Sequence, residues 1–349
     1  RGDRPELAPV ARCRGKSEVL RLMPCTRILG TGSYAPAKVL TNADMEKLVD
    51  TSDEWIRTRT GISERRATTA EEATSDLAYQ ASVAALQAAS VDPMDLDMIL
   101  VATITPDMLF PSTACVLQDR LQARRSAALD ISAACSGFIY GLAVADGLLR
   151  LGTMGTILLV GAETLTKIVN WKDRNTCVLF GDGAGAVVLR GSEGDRGILS
   201  THLFADGSKG SLLMMPGGGS RNPLSQRVLE EGLASIQMAN GNEVFKGAVR
   251  AMEEAALTAL KHNSLEVGDV DLMVPHQANL RIIDAVGHRL GFTEDRLCVN
   301  VQRFGNTSAA SIPLALDEAV QDGRVKAGNL ILLCAFGGGL TWGSALIRW

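Results

Sequence analysis

Apolar residues fall into two kinds of run along this chain of 349 residues. Short runs occur at Met98–Ile104, Asp271–Pro275, Thr156–Val160 and Leu330–Cys334. They are strand-sized and nearly continuous, as expected of strands covered on both faces. Longer segments with helical periodicity open at turns of small residues. One starts in Ala134-Cys-Ser-Gly-Phe138 and runs to Leu151; the other starts in Gly305-Asn-Thr-Ser-Ala-Ala310 and runs to Val320. Each ends at a turn glycine, Gly152 or Gly323, and a further apolar strand follows. Strand, helix, strand at this spacing reads as a crossover unit in a buried sheet. The same order in both halves predicts a duplicated α/β architecture, with one half over 23–190 and the other over 191–349. Further helices are predicted over Ser75–Ser90, capped by Ser75 or Thr74, and over Asn242–His262. Residues 203–238, with Gly217-Gly-Gly219, read as a loop-rich insertion near a site or an interface.

Composition narrows this picture. Hydrophobic residues make up 46% and aromatics only 4%, which suggests helices packed on sheets through small side chains. The formal net charge of −4 argues against a general nucleic-acid or membrane binder. No apolar run approaches the ~18 residues of a membrane span. The seven cysteines form no CxxC pair and no zinc spacing, so thiols in a reducing compartment are expected and no metal is implied. Residues 1–22 are Arg-rich, lack the apolar stretch of a secretory signal, and read as a disordered extension.

Three residues stand where chemistry is expected. Cys135 lies in a strand–turn–helix setting where the helix dipole favours a thiolate; the competing reading is a buried structural cysteine. His276, in Val274-Pro-His-Gln-Ala-Asn-Leu280, follows a strand end, where open α/β sheets bind ligands; a satisfied loop histidine is the alternative. Asn306 is either a helix cap or, taken as the counterpart of Cys135 in the second half, a neighbour of that cysteine at the molecular centre. Ala335-Phe-Gly-Gly-Gly-Leu-Thr-Trp-Gly343 is a loop able to donate N–H groups to an oxyanion, or an ordinary hairpin turn. Phe180-Gly-Asp-Gly-Ala-Gly-Ala186 matches a nucleotide fingerprint formally. It leads into a strand rather than a helix, and so reads as tight packing.

Thr51-Ser-Asp-Glu-Trp-Ile56 with Arg59-Thr-Gly61, and the AACSGF, FGDGAGA, VPHQANLRII, GNTSAAS and AFGGGLTWGSAL segments, together resemble the β-ketoacyl-acyl-carrier-protein synthase III family. The likeness runs from about Arg27 to Trp349. It implies the thiolase fold, a duplicated five-layer αβαβα sandwich with two five-stranded halves, usually as a homodimer. The implied reaction is a decarboxylating Claisen condensation. A short acyl-CoA, acetyl-CoA on this reading, acylates Cys135, and malonyl-acyl carrier protein then gives 3-ketoacyl-acyl carrier protein, initiating type II fatty acid synthesis.

The resemblance also assigns roles. His276 and Asn306 would hydrogen-bond the malonyl thioester carbonyl, and the N–H groups of Cys135 and Gly338 would form the oxyanion hole. Phe336 would keep the decarboxylation site dry. Trp55 and Arg174 would sandwich adenine, with Thr51, Arg59, Asn242 and Asn279 along the coenzyme path. Phe110, Leu165 and Phe180 would line the acyl pocket, a bulky Phe110 favouring a short starter. Lys246, Gln277, Arg281, His288 and Arg289 would meet the acidic carrier protein. No permanently bound cofactor is expected, coenzyme A entering as the thioester substrate. A bacterial cytoplasm fits, or a plastid if residues 1–22 are a presequence remnant. His288 stands where the family usually has lysine, and the Pro216–Glu231 insertion is longer than in the shortest members. The rival readings are a cousin that primes a polyketide-type pathway, a Cys–His hydrolase, and a non-catalytic carrier-binding paralogue, which would typically have lost the nucleophile or a partner.

Overall fold

The computed structural model describes residues 25–349; the expectation for residues 1–22 lies outside them. Thirteen strands are present among these residues. They are β1 (Cys25–Tyr34), β2 (Val39–Thr41), β3 (Glu64–Arg66), β4 (Met98–Ala102), β5 (Ala127–Ile131), β6 (Thr156–Thr164), β7 (Asp182–Ser192), β8 (Gly197–Ala205), β9 (Leu213–Met214), β10 (Gln237–Met238), β11 (Leu272–Pro275), β12 (Leu330–Gly337) and β13 (Thr341–Arg348). The α-helices are α1 (Asn42–Glu46), α2 (Asp53–Thr60), α3 (Thr74–Ala89), α4 (Thr113–Arg120), α5 (Gly137–Arg150), α6 (Gln226–Glu230), α7 (Gly241–His262), α8 (Leu280–Leu290), α9 (Val301–Phe304) and α10 (Ser311–Gln321).

Two sheets carry the duplication. The first has the order β1-β7-β6-β4-β5, with β6-β4-β5 parallel and β1 and β7 antiparallel to their neighbours. The second runs β8-β13-β12-β11, again with a parallel pair (β11, β12) and two antiparallel partners. Where the first sheet continues to β5, the second has a single parallel bridge, Met273 to Leu297. The expected five strands in each half are therefore five and four. The segment after α8 reaches the edge and pairs at one residue before turning into α9.

The continuous apolar strands do what their pattern implied. Ile157 and Leu159 of β6 face one core while Leu158 and Val160 face another. In β12, Ile331 and Leu333 face the central core, and Leu330, Leu332 and Cys334 face outward. Helices α5 and α10 lie between the sheets and fill that central core with Phe138, Ile139, Leu142, Ile312, Ala315 and Leu316. Helices α3 and α4 cover the first sheet, and α7 and α8 cover the second. The result is five layers, helix–sheet–helix–sheet–helix, each apolar side chain buried in it contributing roughly 1.5–3 kcal/mol. This is the thiolase sandwich.

Small residues set how closely the layers approach. A Cβ at Gly185 of β7 would stand 2.6 Å from the Leu314 nitrogen of α10. The FGDGAGA segment is thus strand backbone laid against the second central helix, a packing motif and no nucleotide loop. The start of α3 differs from the expected cap. The cap position is Ala73, whose N–H donates to Asp76, while Thr74 and Ser75 bond elsewhere. The insertion holds a 3-10 turn, the β9/β10 ribbon and α6, and Leu213 and Met238 of the ribbon reach the cleft described next.

Candidate active site

The C-terminal ends of the central strands and the heads of α5 and α10 meet at a cleft of about 520 Å³. Cys135, His276, Asn306 and Phe336 all line it. Cys135 sits in a 3-10 turn, Ala134–Ser136, that feeds α5. Ala134 holds a positive φ of 46°, an uncommon conformation for a residue with a Cβ. The loop after β12 closes on this turn: a Cβ at Gly337 would be 2.7 Å from the Cys135 nitrogen. Only glycine there allows the backbone of the β12–β13 hairpin to lie against the Cys135 turn. The segment is therefore both a hairpin turn and a donor loop, since the Gly338 N–H bears on the Cys135 sulfur.

The electrostatics of the sulfur differ from the expectation. Burial pushes the Cys135 thiol up to about 11, and the neighbouring Ser308 hydroxyl and the N–H groups of Gly338 and Cys135 offset this only in part. The resting residue is a thiol. A helix dipole favours the thiolate of a partly exposed sulfur; this one is enclosed.

His276 follows the last residue of β11 and is almost wholly buried. Its Nδ1 lies 2.6 Å from the Ser311 hydroxyl oxygen, which also accepts the Gln277 N–H at 3.3 Å. The Ser311 hydroxyl has no other acceptor at hydrogen-bond distance among the described residues; with its hydrogen on Nδ1, the imidazole carries its own hydrogen on Nε2. Burial holds the imidazole down at about 3, so it is neutral. Asn306 is held by its backbone between Leu179 and Gly181. Its Oδ1 accepts the Ser308 N–H at 2.9 Å, which leaves Nδ2 as the donor. Both side chains therefore present a neutral N–H at the cleft that holds Cys135.

Asn306 is not the counterpart of Cys135. The two 3-10 turns correspond as Ala134–Ser136 to Ser308–Ala310, each running straight into a central helix, and Ser308 repeats the positive φ at 48°. The residue that matches Cys135 is Ala309, and Asn306 lies three positions earlier, on the strand-like approach.

The other expected residues divide. Trp55, Arg59, Asn242, Asn279, Arg281 and Phe180 line the cleft. Trp55 is in the first turn of α2, capped by Ser52, and both Arg59 and Arg174 stack on its ring, at 4.7 and 5.2 Å. Arg174 donates to the Asp50 carbonyl at 2.8 Å at the mouth. Asn279 caps α8 and donates to the Arg59 carbonyl, so it has a structural task as well. The Thr51 hydroxyl is buried without a hydrogen-bond partner among the described residues and does not line the cleft. Leu165 packs in the core behind Phe180. Phe110 is 85% exposed beside Leu109 at 84%, and does not line the cleft of its own chain.

On the flank, Lys246, His288 and Arg289 share a shallow depression with Phe245 and Arg250, and Arg289 pairs with Glu253 at 2.6 Å. Gln277 must be removed from this face. It is 1% exposed, donates to the Pro275 and Cys298 carbonyls, and accepts from the Asn300 and Val301 N–H groups. It ties the strand end to the turn before α9 and meets nothing outside the chain. Ser311, Ser308 and Glu163 were not singled out from sequence. Serine in a helix-starting turn reads as a capping residue, and nothing local reveals a partner 35 residues away.

The family model described as 3-oxoacyl-[acyl-carrier-protein (ACP)] synthase III matches residues 129–207, and its C-terminal counterpart matches 260–349. The chain is 56% identical over 322 residues to the β-ketoacyl-[acyl-carrier-protein] synthase III of Caldanaerobacter subterraneus subsp. tengcongensis, covering 92% of this chain and 97% of that one. It is 57% identical over 324 residues to the protein of the same name from Xanthomonas campestris pv. campestris, covering 93% and 98%. Among solved structures, 3-oxoacyl-[acyl-carrier-protein] synthase III from Aquifex aeolicus VF5 is similar with a TM-score of 0.87 at 50% identity, over 93% of this chain and all of that one.

Proposed function

The chain belongs to the β-ketoacyl-[acyl-carrier-protein] synthase III family, the condensing enzymes that initiate fatty acid synthesis, and from that premise we propose how its residues divide the reaction. Cys135 attacks the thioester of a short acyl-CoA, acetyl-CoA on this reading. The N–H groups of Cys135 and Gly338 receive the oxyanion, and coenzyme A leaves. Malonyl-acyl carrier protein then enters the same cleft. His276 Nε2–H and Asn306 Nδ2–H bind its thioester oxygen, and carbon dioxide departs as negative charge gathers there. The resulting carbanion attacks acyl-Cys135 and releases 3-ketoacyl-acyl carrier protein.

One observation carries this reading. The opposite atom of each donor is already occupied, Nδ1 of His276 by Ser311 and Oδ1 of Asn306 by Ser308. Two neutral donors thus converge where an enolate would form, and each such donor is worth about 3 kcal/mol as charge develops. A protonated histidine is not needed, and burial disfavours it. Trp55 with Arg59 and Arg174 offers a flat cationic face for the adenine of the coenzyme. Lys246, Arg281, His288 and Arg289 form the rim for an acidic carrier protein.

The reading includes a homodimer, in which Leu109 and Phe110 are covered by the second copy and Phe110 bounds the partner's acyl pocket. It includes a cytoplasmic setting and no permanently bound cofactor. No helix among the described residues is long and apolar enough to cross a membrane. The test is intact mass spectrometry of the protein with acetyl-CoA and malonyl-loaded carrier protein. The expected products are acetyl on Cys135 and acetoacetyl on the carrier. Acetyl on another residue, or a carrier that stays malonylated beside acetyl-Cys135, contradicts the reading.

A further inference from the structure

Cys135 must lose a proton to become acylated, and the residues assigned above provide no base for it. Its thiol is pushed up to about 11, and His276 is held down near 3. A further ionisable group is buried near the Cys135 sulfur. Glu163, the penultimate residue of β6, is fully buried. Its Oε2 accepts from Thr105 at 2.6 Å, from the Ile104 N–H at 3.1 Å and from Thr103 at 3.2 Å. Its Oε1 is buried with no hydrogen-bond partner among the described residues. A second orphan is the Ser308 hydroxyl, also buried and with no hydrogen-bond partner among the described residues. Ser308 sits beside both the Glu163 carboxyl and the Cys135 sulfur.

The backbone shows why these elements converge. A Cβ at Gly161, two residues before Glu163, would meet the Ala309 carbonyl at 2.3 Å. A Cβ at Gly137, two residues after Cys135, would meet Ala102 and Ala309 at 3.1 and 3.4 Å. The ends of β4 and β6 and the two 3-10 turns therefore share one small region. Ser308 holds a positive φ of 48°, an uncommon conformation for a residue with a Cβ.

We propose that Ser308 and Glu163 form a proton relay that takes the thiol proton of Cys135 and stores it while the cysteine is acylated. This rests on Cys135 being the nucleophile. The S–H bond breaks as sulfur attacks the acyl-CoA carbonyl. Ser308 Oγ receives that proton and passes its own to Glu163 Oε1, so the net transfer is one proton to the carboxylate. The tetrahedral adduct expels coenzyme A thiolate, which takes a proton from solvent. When the condensation releases Cys135 as thiolate, the relay runs backwards and restores the thiol and the carboxylate. The cycle consumes one solvent proton, matching a thioester, a malonyl thioester and a proton in, and a ketoacyl thioester, carbon dioxide and a free thiol out.

Burial raises the Glu163 carboxyl to about 7, which makes it a base of useful strength near neutral pH. Its neighbours are Thr103, the Ile104 N–H and Thr105 after β4, Ser308 before α10, and the Cys135 thiol. Of the other ionisable groups nearby, Asp182 on β7 is engaged by Thr68 and Thr166, and His276 is engaged by Ser311. No Lys, Arg or His forms an ion pair with Glu163 among the described residues.

The test is quench-flow acetylation with acetyl-CoA alone, read by intact mass across the pH range. In the wild type the rate of acetyl-Cys135 formation rises with pH through a limb near neutrality, because the carboxylate is the active form. Glu163→Gln keeps the acceptor for Thr103 and Thr105 but cannot take a proton. It is expected to lose the limb, acylate about 100-fold more slowly near neutral pH, and recover only toward alkaline pH. Glu163→Asp restores a limb in part. Ser308→Ala, which leaves the carboxyl's other bonds in place, slows acylation about tenfold and weakens the limb. Acetyl-Cys135 formed by Glu163→Gln or Ser308→Ala with the wild-type rate and limb overturns the relay alone. Acetyl on another residue of the wild-type chain overturns the nucleophile assignment and the relay with it.

Discussion

The two central turns have the same backbone and opposite tasks. Ala134–Ser136 and Ser308–Ala310 each begin with a residue at positive φ, make one 3-10 turn, and enter a helix between the sheets. The first presents a thiol to the cleft. The second presents no nucleophile: Ala309 stands where Cys135 would be, and its carbonyl is pressed on Gly161. Instead it surrounds the site with hydroxyls and an amide. Ser311 bonds the imidazole at Nδ1, the Ser308 N–H bonds the Asn306 amide oxygen, and the Ser308 hydroxyl lies near Glu163. A duplicated fold thus places two similar helix heads together, and the side chains on one support the chemistry of the other.

The strongest challenge to that comparison is to move the sulfur. Cys135→Ala is expected to reduce acetyl transfer by at least about 10⁴-fold. Adding Ala309→Cys is expected to restore none of it, since that position faces packed backbone and not the cleft. Acetyl found at position 309 of the double variant, read by peptide mapping, would show the turns to be interchangeable.

Next in size is the charge on the donor. Asn306→Asp replaces Nδ2–H with a carboxylate oxygen and should slow malonyl decarboxylation by about 1000-fold while acetyl transfer survives. Carbon dioxide release at the wild-type rate would remove Asn306 from the step. The imidazole provides a pH counterpart. Its folded value of about 3 lies far below an ordinary histidine, so it stays neutral as pH falls through about 6.5. Decarboxylation by pre-formed acetyl-enzyme should therefore show no loss in that window. A limb near 6.5 that disappears in His276→Ala would contradict this.

Ser311→Ala should cost about tenfold in decarboxylation, with Ser311→Thr recovering part of it, because only the tautomer is released. The smallest effect on catalysis is expected at Gln277. Gln277→Ala should lower stability by about 2–3 kcal/mol in urea unfolding, since four backbone groups lose their partner. The KM for carrier protein should not change; a raised KM with unchanged stability would return Gln277 to the docking face.

The framework was legible because its signals are local. Apolar strands such as Thr156–Val160, small-residue turns and closing glycines announce a buried sheet with crossovers before any contact is known. The candidate residues that a motif carries, Cys135, His276 and Asn306, stand out for the same reason, and the structure brings all three to one cleft. What escaped depends on distant contacts. The thiol's high value reflects enclosure by a loop roughly 200 residues away along the chain. Gln277 sits in the histidine motif and looks exposed until its carbonyl partners, Pro275 and Cys298, are in place. The missing fifth strand of the second sheet is a matter of edge geometry at Leu297, and Phe110 belongs to a surface that one chain leaves open.

On the proposed reading, sulfur chemistry belongs to Cys135 and decarboxylation to the His276–Asn306 donor pair, as separate tasks. The most direct measurement of that separation is on His276→Ala, following acetyl on the protein by intact mass and carbon dioxide from malonyl-carrier protein in one single-turnover experiment. The predicted result is acetyl-Cys135 formed at close to the wild-type rate, with carbon dioxide release slowed about 1000-fold. Loss of both steps together, or of acetylation alone, would contradict it.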